Sequence, residues 1–186
     1  MDWTEQLASQ LELHWTTQLR PRLDGLSDDE YFWEPVPGSW NVHPRGRSTA
    51  PVQGGSGDFT IDFALPEPDP PPVTTIAWRL GHVIVGVFGS RAAAHFGGAP
   101  VDYLTFDYAG TAAGALGQLD AAHDAWTTGV RGLDGAALAA PCGPAEGPWA
   151  EHPMATLVLH INREAIHHGA EISLLRDLYR AGSRPR

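Results

Sequence analysis

Apolar residues recur at helical spacing in four long stretches of this chain. Leu7, Leu11, Trp15 and Leu19 fall four apart between about Trp3 and Asp24, and the spacing predicts a first helix that Pro21 kinks or closes. Ile76, Leu80, Val83 and Val87 mark a second, from Thr74 or Thr75 as N-cap to about Phe96, stopped by Gly97-Gly98. Leu116, Leu119, Ala122 and Trp126 mark a third, over about Thr111 to Leu133, with Asp134-Gly135 ending it. The fourth runs from about Met154 to Tyr179, with Arg176 and Arg180 in its last turns, where cations suit the helix dipole. Ser27 with Glu30 reads as a capping box for a short turn, and residues 141–153 read as a loop.

Between the first two helices the pattern changes. Residues 35–72 are dense in Pro, Gly and Ser, but Ser39–His43 and the alternating Phe59-Thr60-Ile61-Asp62-Phe63 read as short strands. The expectation is a loose β-hairpin or flap over about residues 41–72. Trp40, Phe59, Ile61 and Phe63 make it too apolar for a free linker. It should fold over the open end of a helical bundle and line the substrate cavity. The whole chain, 1–186, reads as one domain: a four-helix bundle with an inserted flap.

One helix breaks the apolar rule. Leu157, Ile161, Glu164, His168, Glu171, Leu175 and Leu178 follow each other at intervals of four and three, the a/d spacing of a packed seam. The middle of that seam is ionisable. Buried carboxylates and imidazoles need partners, and Glu164 and His168, at i and i+4, can share a cation. His82, mid-helix in another apolar stripe, is open between a third ligand and a satisfied core histidine. Glu171 suits an acceptor that orients His168 better than a fourth ligand. His160, one turn before Glu164, is open between a base near the ion, an alternative ligand and a plain hydrogen-bonded histidine. His167 should face outward or toward a partner subunit; His14, His43, His95, His123 and His152 are taken as structural.

Composition narrows the chemistry. A net charge of −10 in 186 residues leaves no basic patch for nucleic acid. All twelve basic residues are arginine, which excludes Schiff-base and P-loop chemistry, both dependent on lysine. The single cysteine, Cys142, lies in a Pro/Gly-rich run with no basic neighbour in sequence, and reads as a bystander. With no disulfide pair, no signal-peptide pattern at Met1–Glu5 and no membrane-length apolar run, the expected location is cytoplasmic.

The segment Trp78-Arg79-Leu80-Gly81-His82-Val83, and much later His160-Ile161-Asn162-Arg163-Glu164-Ala165-Ile166-His167-His168-Gly169-Ala170-Glu171-Ile172, resemble the DinB-like superfamily. That group includes mycothiol- and bacillithiol-dependent transferases and the mycothiol-dependent maleylpyruvate isomerase. The resemblance covers most of the chain; Leu26–Glu30, Trp33 and Pro35–Trp40 also fit its first helix and loop. It implies an all-α, up-down-down-up four-helix bundle holding a divalent metal at one end. The implied ligands are His82, Glu164 and His168. Glu164 stands where most members have histidine, as in the isomerase branch, and Glu171 where many have glutamine.

What the resemblance implies is a divalent-metal-dependent thiol S-transferase or isomerase. Its co-substrate would be a low-molecular-weight thiol such as mycothiol, and Glu171 and His160 would support catalysis. Zinc is the expected metal, with nickel or iron as alternatives. Partners would be a small-molecule thiol and an electrophile, with no nucleic acid or membrane, and a homodimer as the assembly considered. The alternative is a stress-associated metal-binding bundle without turnover.

Overall fold

The computed structural model describes residues 2–182. It is mostly helical, with one small antiparallel sheet between the first and second long helical segments. The first segment is α1 (Trp3–His14), capped by the Asp2 carboxylate on the Glu5 amide. It continues through a π-helical turn, π1 (Trp15–Leu19), into α2 (Arg20–Arg22), so Pro21 sits within the final turn. Ser27 caps α3 (Asp28–Tyr31) as predicted, accepting from the Glu30 amide at 3.2 Å.

The second segment comprises α4 (Ile76–His82), π2 (Val83–Gly89) and α5 (Ser90–Phe96). Thr75 is its cap and Gly97, at φ 90°, its stop. Then come α6 (Ala112–Arg131), capped by Thr111, and α8 (Met154–Gly182). Asp134-Gly135 does more than end α6. Asp134 accepts from the Ala137 amide and opens a further short helix, α7 (Gly135–Ala139). The loop expected at 141–153 contains a 3₁₀ turn at Pro144–Trp149. The first and second segments each pack against both α6 and α8, around one contiguous core that includes Leu11, Leu80, Phe88, Leu119, Trp126 and Ile161. No helix of the described residues is long and apolar enough to cross a membrane.

The flap is a three-stranded sheet and not a hairpin: β1 (Val42–Pro44), β2 (Val52–Gly54) and β3 (Phe59–Phe63), in the order β1-β3-β2. Val42 pairs with Ile61 and Val52 with Phe63. Three residues running into a Gly-Gly step were too few for β2 to show alternation. The buried Asp62 carboxylate holds the sheet together, accepting from Ser48 Oγ (2.5 Å), the Asn41 amide (3.0 Å) and His43 Nε2 (3.1 Å). The sheet is pinned to α4: Trp78 Nε1 donates to the Asp62 carbonyl at 2.8 Å, and the Trp40 and Phe63 rings pack on Trp78 at 5.9 and 5.8 Å. It thus braces the helical turn that precedes His82, rather than lining the cavity described below.

On α8 the seam differs from the predicted one. Buried positions are Met154, Leu157, Val158, Ile161, Asn162, Ala165, His168, Gly169, Ile172 and Arg176, whereas Glu164 and Glu171 are only partly buried and Leu178 is 48% exposed. A strict seven-residue repeat drifts about 20° per heptad on a straight helix, so a stripe that begins at the core by Leu157 has left it by Leu178. Of the three ionisable residues placed on the seam, His168 alone is in the core. Arg176, expected only to complement the helix dipole, is fully buried. Its Nε and Nη2 bind the Glu30 carboxylate at 2.7 and 3.0 Å, and it donates further to the Arg22 and Asp24 carbonyls.

Candidate metal centre

Helices α4 and α8 bring His82 and His168 ring to ring, with centroids 4.6 Å apart and planes at 88°. His82 is the last residue of α4, directly before π2. One side of its ring stacks on Trp78, a turn earlier, at 5.6 Å. Its Nδ1 lies 2.6 Å from the Tyr103 hydroxyl. Tyr103 reaches in from the loop between α5 and α6 because Gly86 has no side chain: a Cβ there would overlap the Tyr103 hydroxyl. The small residues after His82 thus admit loop side chains, where the sequence suggested a close helix. Burial is the main reason the His82 pKa is pushed down to about 4; the nearby His168 and Arg79 add to the shift, and Glu164 and Glu171 oppose it. At neutral pH the ring is uncharged and keeps a lone pair.

His168 divides its two nitrogens between two carboxylates. Nδ1 lies 2.7 Å from Glu171 Oε2, and Nε2 lies 3.5 Å from Glu164 Oε2. Arginine also engages each carboxylate. Arg79 Nε sits 3.2 Å from Glu171 Oε2, and Arg163 donates to Glu164 Oε1 from Nε (3.2 Å) and Nη2 (3.1 Å). For Glu164, partial burial would raise the pKa. The Arg163 hydrogen bond and the adjacent His160 and His168 outweigh it and hold the carboxyl below its usual range. Arg79, partly buried with its guanidinium 5.4 Å over the Trp78 ring, is itself lowered by burial, against the pull of Glu171.

One group of three among the described residues can hold a divalent ion by proximity alone: His167, His168 and Glu171, with ligand atoms all within 4.8 Å of one another. His167 is exposed, its Nε2 3.5 Å from Glu171 Oε1. The imidazole of His168 is therefore common to two donor sets. One has His167 with Glu171, the carboxylate at Nδ1; the other has Glu164 at Nε2, and the His82 ring lies 4.6 Å from the His168 ring, centroid to centroid. His160 stands apart from His168. Its Nδ1 lies 2.6 Å from Arg163 Nη2 and 3.5 Å from Glu164 Oε1.

Sequence reasoning missed Arg79, Tyr103 and Arg163. Arg79 could have been found three residues before His82, on the same helical face. Tyr103 left one trace, the glycine at 86 inside an apolar helix, where glycine costs about 1 kcal/mol relative to alanine. Cys142 also proved less isolated than expected. Its buried thiol donates to the Trp149 carbonyl at 3.2 Å and lies on the wall of a cavity shared with Arg91, His152, His160 and Arg163.

Comparison with protein-family models matches residues 10–172 to the DinB superfamily, and the chain belongs to that superfamily. No curated protein and no solved structure matches it.

Proposed function

We propose that this protein holds one divalent metal ion, zinc by preference, through His82, Glu164 and His168. With it the protein would act on a low-molecular-weight thiol such as mycothiol, as an S-transferase or isomerase on a DinB-type up-down-down-up four-helix bundle. The observation that carries the reading is the division of His168. With Nδ1–H donated to Glu171, the Nε2 lone pair points toward Glu164 Oε2, the arrangement in which an outer carboxylate fixes a ligand's tautomer. The same logic applies at His82: an Nδ1–H given to the Tyr103 oxygen leaves Nε2 unprotonated. Arg163 occupies one oxygen of Glu164 and leaves the other turned to His168.

Glu171 is the weaker ligand candidate because Arg79 already neutralises the oxygen that binds His168. His167 is weaker because its exposed imidazole costs nothing to leave in water. A bound divalent ion would lower the pKa of a thiol so that the thiolate, the nucleophilic form, exists near neutral pH. The thiol sulfur would then bond to an electrophilic carbon, either adding to a C=C bond whose π electrons take up a proton or displacing a leaving group as its anion, with the thiol proton passing to solvent. His160 would serve instead as a donor to the substrate, since Arg163 donates to its Nδ1 and its proton therefore sits on Nε2.

A second reading has its own observation: neither His82 nor His168 lines the cavity beside Cys142, as a metal-binding, stress-associated protein without turnover would allow. One experiment separates the two. The purified protein is analysed for metal, then supplied with a thiol and a panel of electrophiles, with and without chelator. Chelator-sensitive thiol consumption, lost in His168→Ala and retained in Cys142→Ser, is the expected result. Stoichiometric metal with no thiol consumption would favour the non-catalytic reading, and full metal content in a folded His168→Ala protein would remove the site.

A further inference from the structure

A cavity of about 440 Å³ opens between α5, the 3₁₀ turn at Pro144–Trp149 and the first turns of α8. It is of the size that takes a small organic ligand. Leu157, Leu159 and Trp149 supply apolar surface, and Leu159 and Trp149 stand more than half exposed at 51% and 64%. The charges on its wall run against those of the molecule. The chain carries 22 acidic and 12 basic residues, but the cavity presents Arg91 and Arg163, with His152 and His160, against a single acid, Glu146. That acid is already engaged by His95 Nε2 at 2.8 Å and Arg91 Nη2 at 3.5 Å.

The donors, by contrast, are not used up. Arg91 spends Nη1 on the Gly86 carbonyl at 2.7 Å and Ser90 Oγ at 3.3 Å, and Nη2 on Glu146, whereas Arg163 spends Nε and Nη2 on Glu164 and His160 and has Nη1 without a hydrogen-bond partner among the described residues. His160 accepts from Arg163 at Nδ1, which leaves its proton on Nε2 as a further donor. Surplus cationic donors beside exposed aromatic and aliphatic surface define an amphipathic anion as the complementary ligand.

We infer that this cavity binds a small organic anion, a carboxylate or sulfonate on an apolar body. Its acid group would be held by Arg91, Arg163 and His160, and its hydrocarbon would lie against Trp149 and Leu159. His160 and Arg163 also contact Glu164, so the anion would lie next to the candidate metal centre. As a seat for the electrophile the cavity rests on the metal-dependent reading above; as a binding site it does not.

The test uses the full chain, metal content measured in parallel, and two fluorescent probes of one ring system: anilinonaphthalenesulfonate and the uncharged phenylnaphthylamine. The anion should bind the parent protein roughly tenfold more tightly than the neutral probe, the value of one charge-assisted contact. Arg163→Gln, an exposed change that leaves the core intact, should remove about five- to tenfold of the anion's affinity and less than about twofold of the neutral probe's. Arg91→Gln should do the same. Bound anion should also slow alkylation of Cys142 by iodoacetamide. Equal affinity for the two probes, or a preference unchanged in both arginine variants, overturns the inference. Selective anion binding by a protein that takes up no metal would support the cavity while removing the metal-dependent reading.

Discussion

Replacing Glu171 distinguishes the two places an ion can sit around His168. If the ion lies on the Nε2 side, Glu171 acts from behind, as the acceptor for Nδ1–H at 2.7 Å and the counter-charge for Arg79 at 3.2 Å. Losing such an outer partner weakens metal binding by about 10- to 100-fold, or about 1.4–2.7 kcal/mol. Glu171→Gln keeps an acceptor oxygen and should fall at the lower end. Glu171→Ala also leaves the Arg79 guanidinium uncompensated beside His168, and should fall at the upper end. Removing a direct ligand is a larger loss. Zinc sites of three or four protein ligands bind with about 10–16 kcal/mol, so each ligand is worth on the order of 3–4 kcal/mol, some two to three orders of magnitude in affinity.

Zinc affinity, read by competition with a chromogenic chelator, should therefore rank the variants. His167→Ala should bind as the parent does, Glu171→Gln slightly less well, Glu171→Ala clearly less well, and Glu164→Gln and His82→Gln far less well. The reasoning is refuted if His167→Ala or Glu171→Gln loses as much as Glu164→Gln, because the ion would then belong to the Nδ1 side, with His167, His168 and Glu171. Circular dichroism on each metal-free variant separates loss of ligand from loss of fold.

Two other outcomes follow from buried charge. Burial lowers the pKa of His82 to about 4 and lowers those of His14 and His123; a depressed histidine pKa stabilises the fold fully above about pH 6.5 and progressively less as pH falls toward the folded value, so at about pH 5 the metal-free protein should lose about 2 kcal/mol from His82 alone. Calorimetry should show a melting temperature lower by about 4–8 °C than at neutral pH, less so in His82→Gln, and a flat profile would contradict the assignment. Arg176→Met should cost about 3–5 kcal/mol in urea unfolding because it leaves the buried Glu30 carboxylate with only the half-exposed Arg180, Nε at 3.5 Å, while adding Glu30→Leu should recover much of the loss; a single variant costing under about 1 kcal/mol would show that Arg180 or solvent compensates Glu30.

The long helices were legible because burial imposes a period and caps leave a chemical mark. Ser27, Thr75 and Thr111 each sit where an unpaired amide needs a side-chain oxygen, and each accepts one. The π segments at Trp15–Leu19 and Val83–Gly89 were not legible. They alter hydrogen-bond register over five and seven residues without altering which residue types are apolar. The sheet was half visible: β3 alternates over five residues, whereas β2 is held by pairing with β3 and by nothing within its own three residues. Arg176 was misread for a different reason. Its partner Glu30 is 146 residues away, and each was already explained locally, one by the helix dipole and the other by a capping box.

The same distinction applies at the candidate metal centre. His168 stood out because it interrupts an apolar period, and Glu164 and Glu171 because they lie four before it and three after it. The groups that give these residues their character come from elsewhere. Tyr103 reaches His82 from a loop without periodicity, and Trp78 and Arg79 tie the ligand-bearing turn to the flap on one side and to Glu171 on the other. Arg163, adjacent to Glu164 in sequence, reads as an exposed helical arginine until the fold sets it between His160, Glu164 and the cavity. An i,i+4 pair of candidate ligands is common on helices. What separates this one from a surface hydrogen bond is that each carboxylate has an arginine on one side and a histidine on the other, with a second imidazole at 4.6 Å. Two helices far apart in sequence, α4 and α8, supply those neighbours, so the pairing was legible in the sequence and its environment only in the fold.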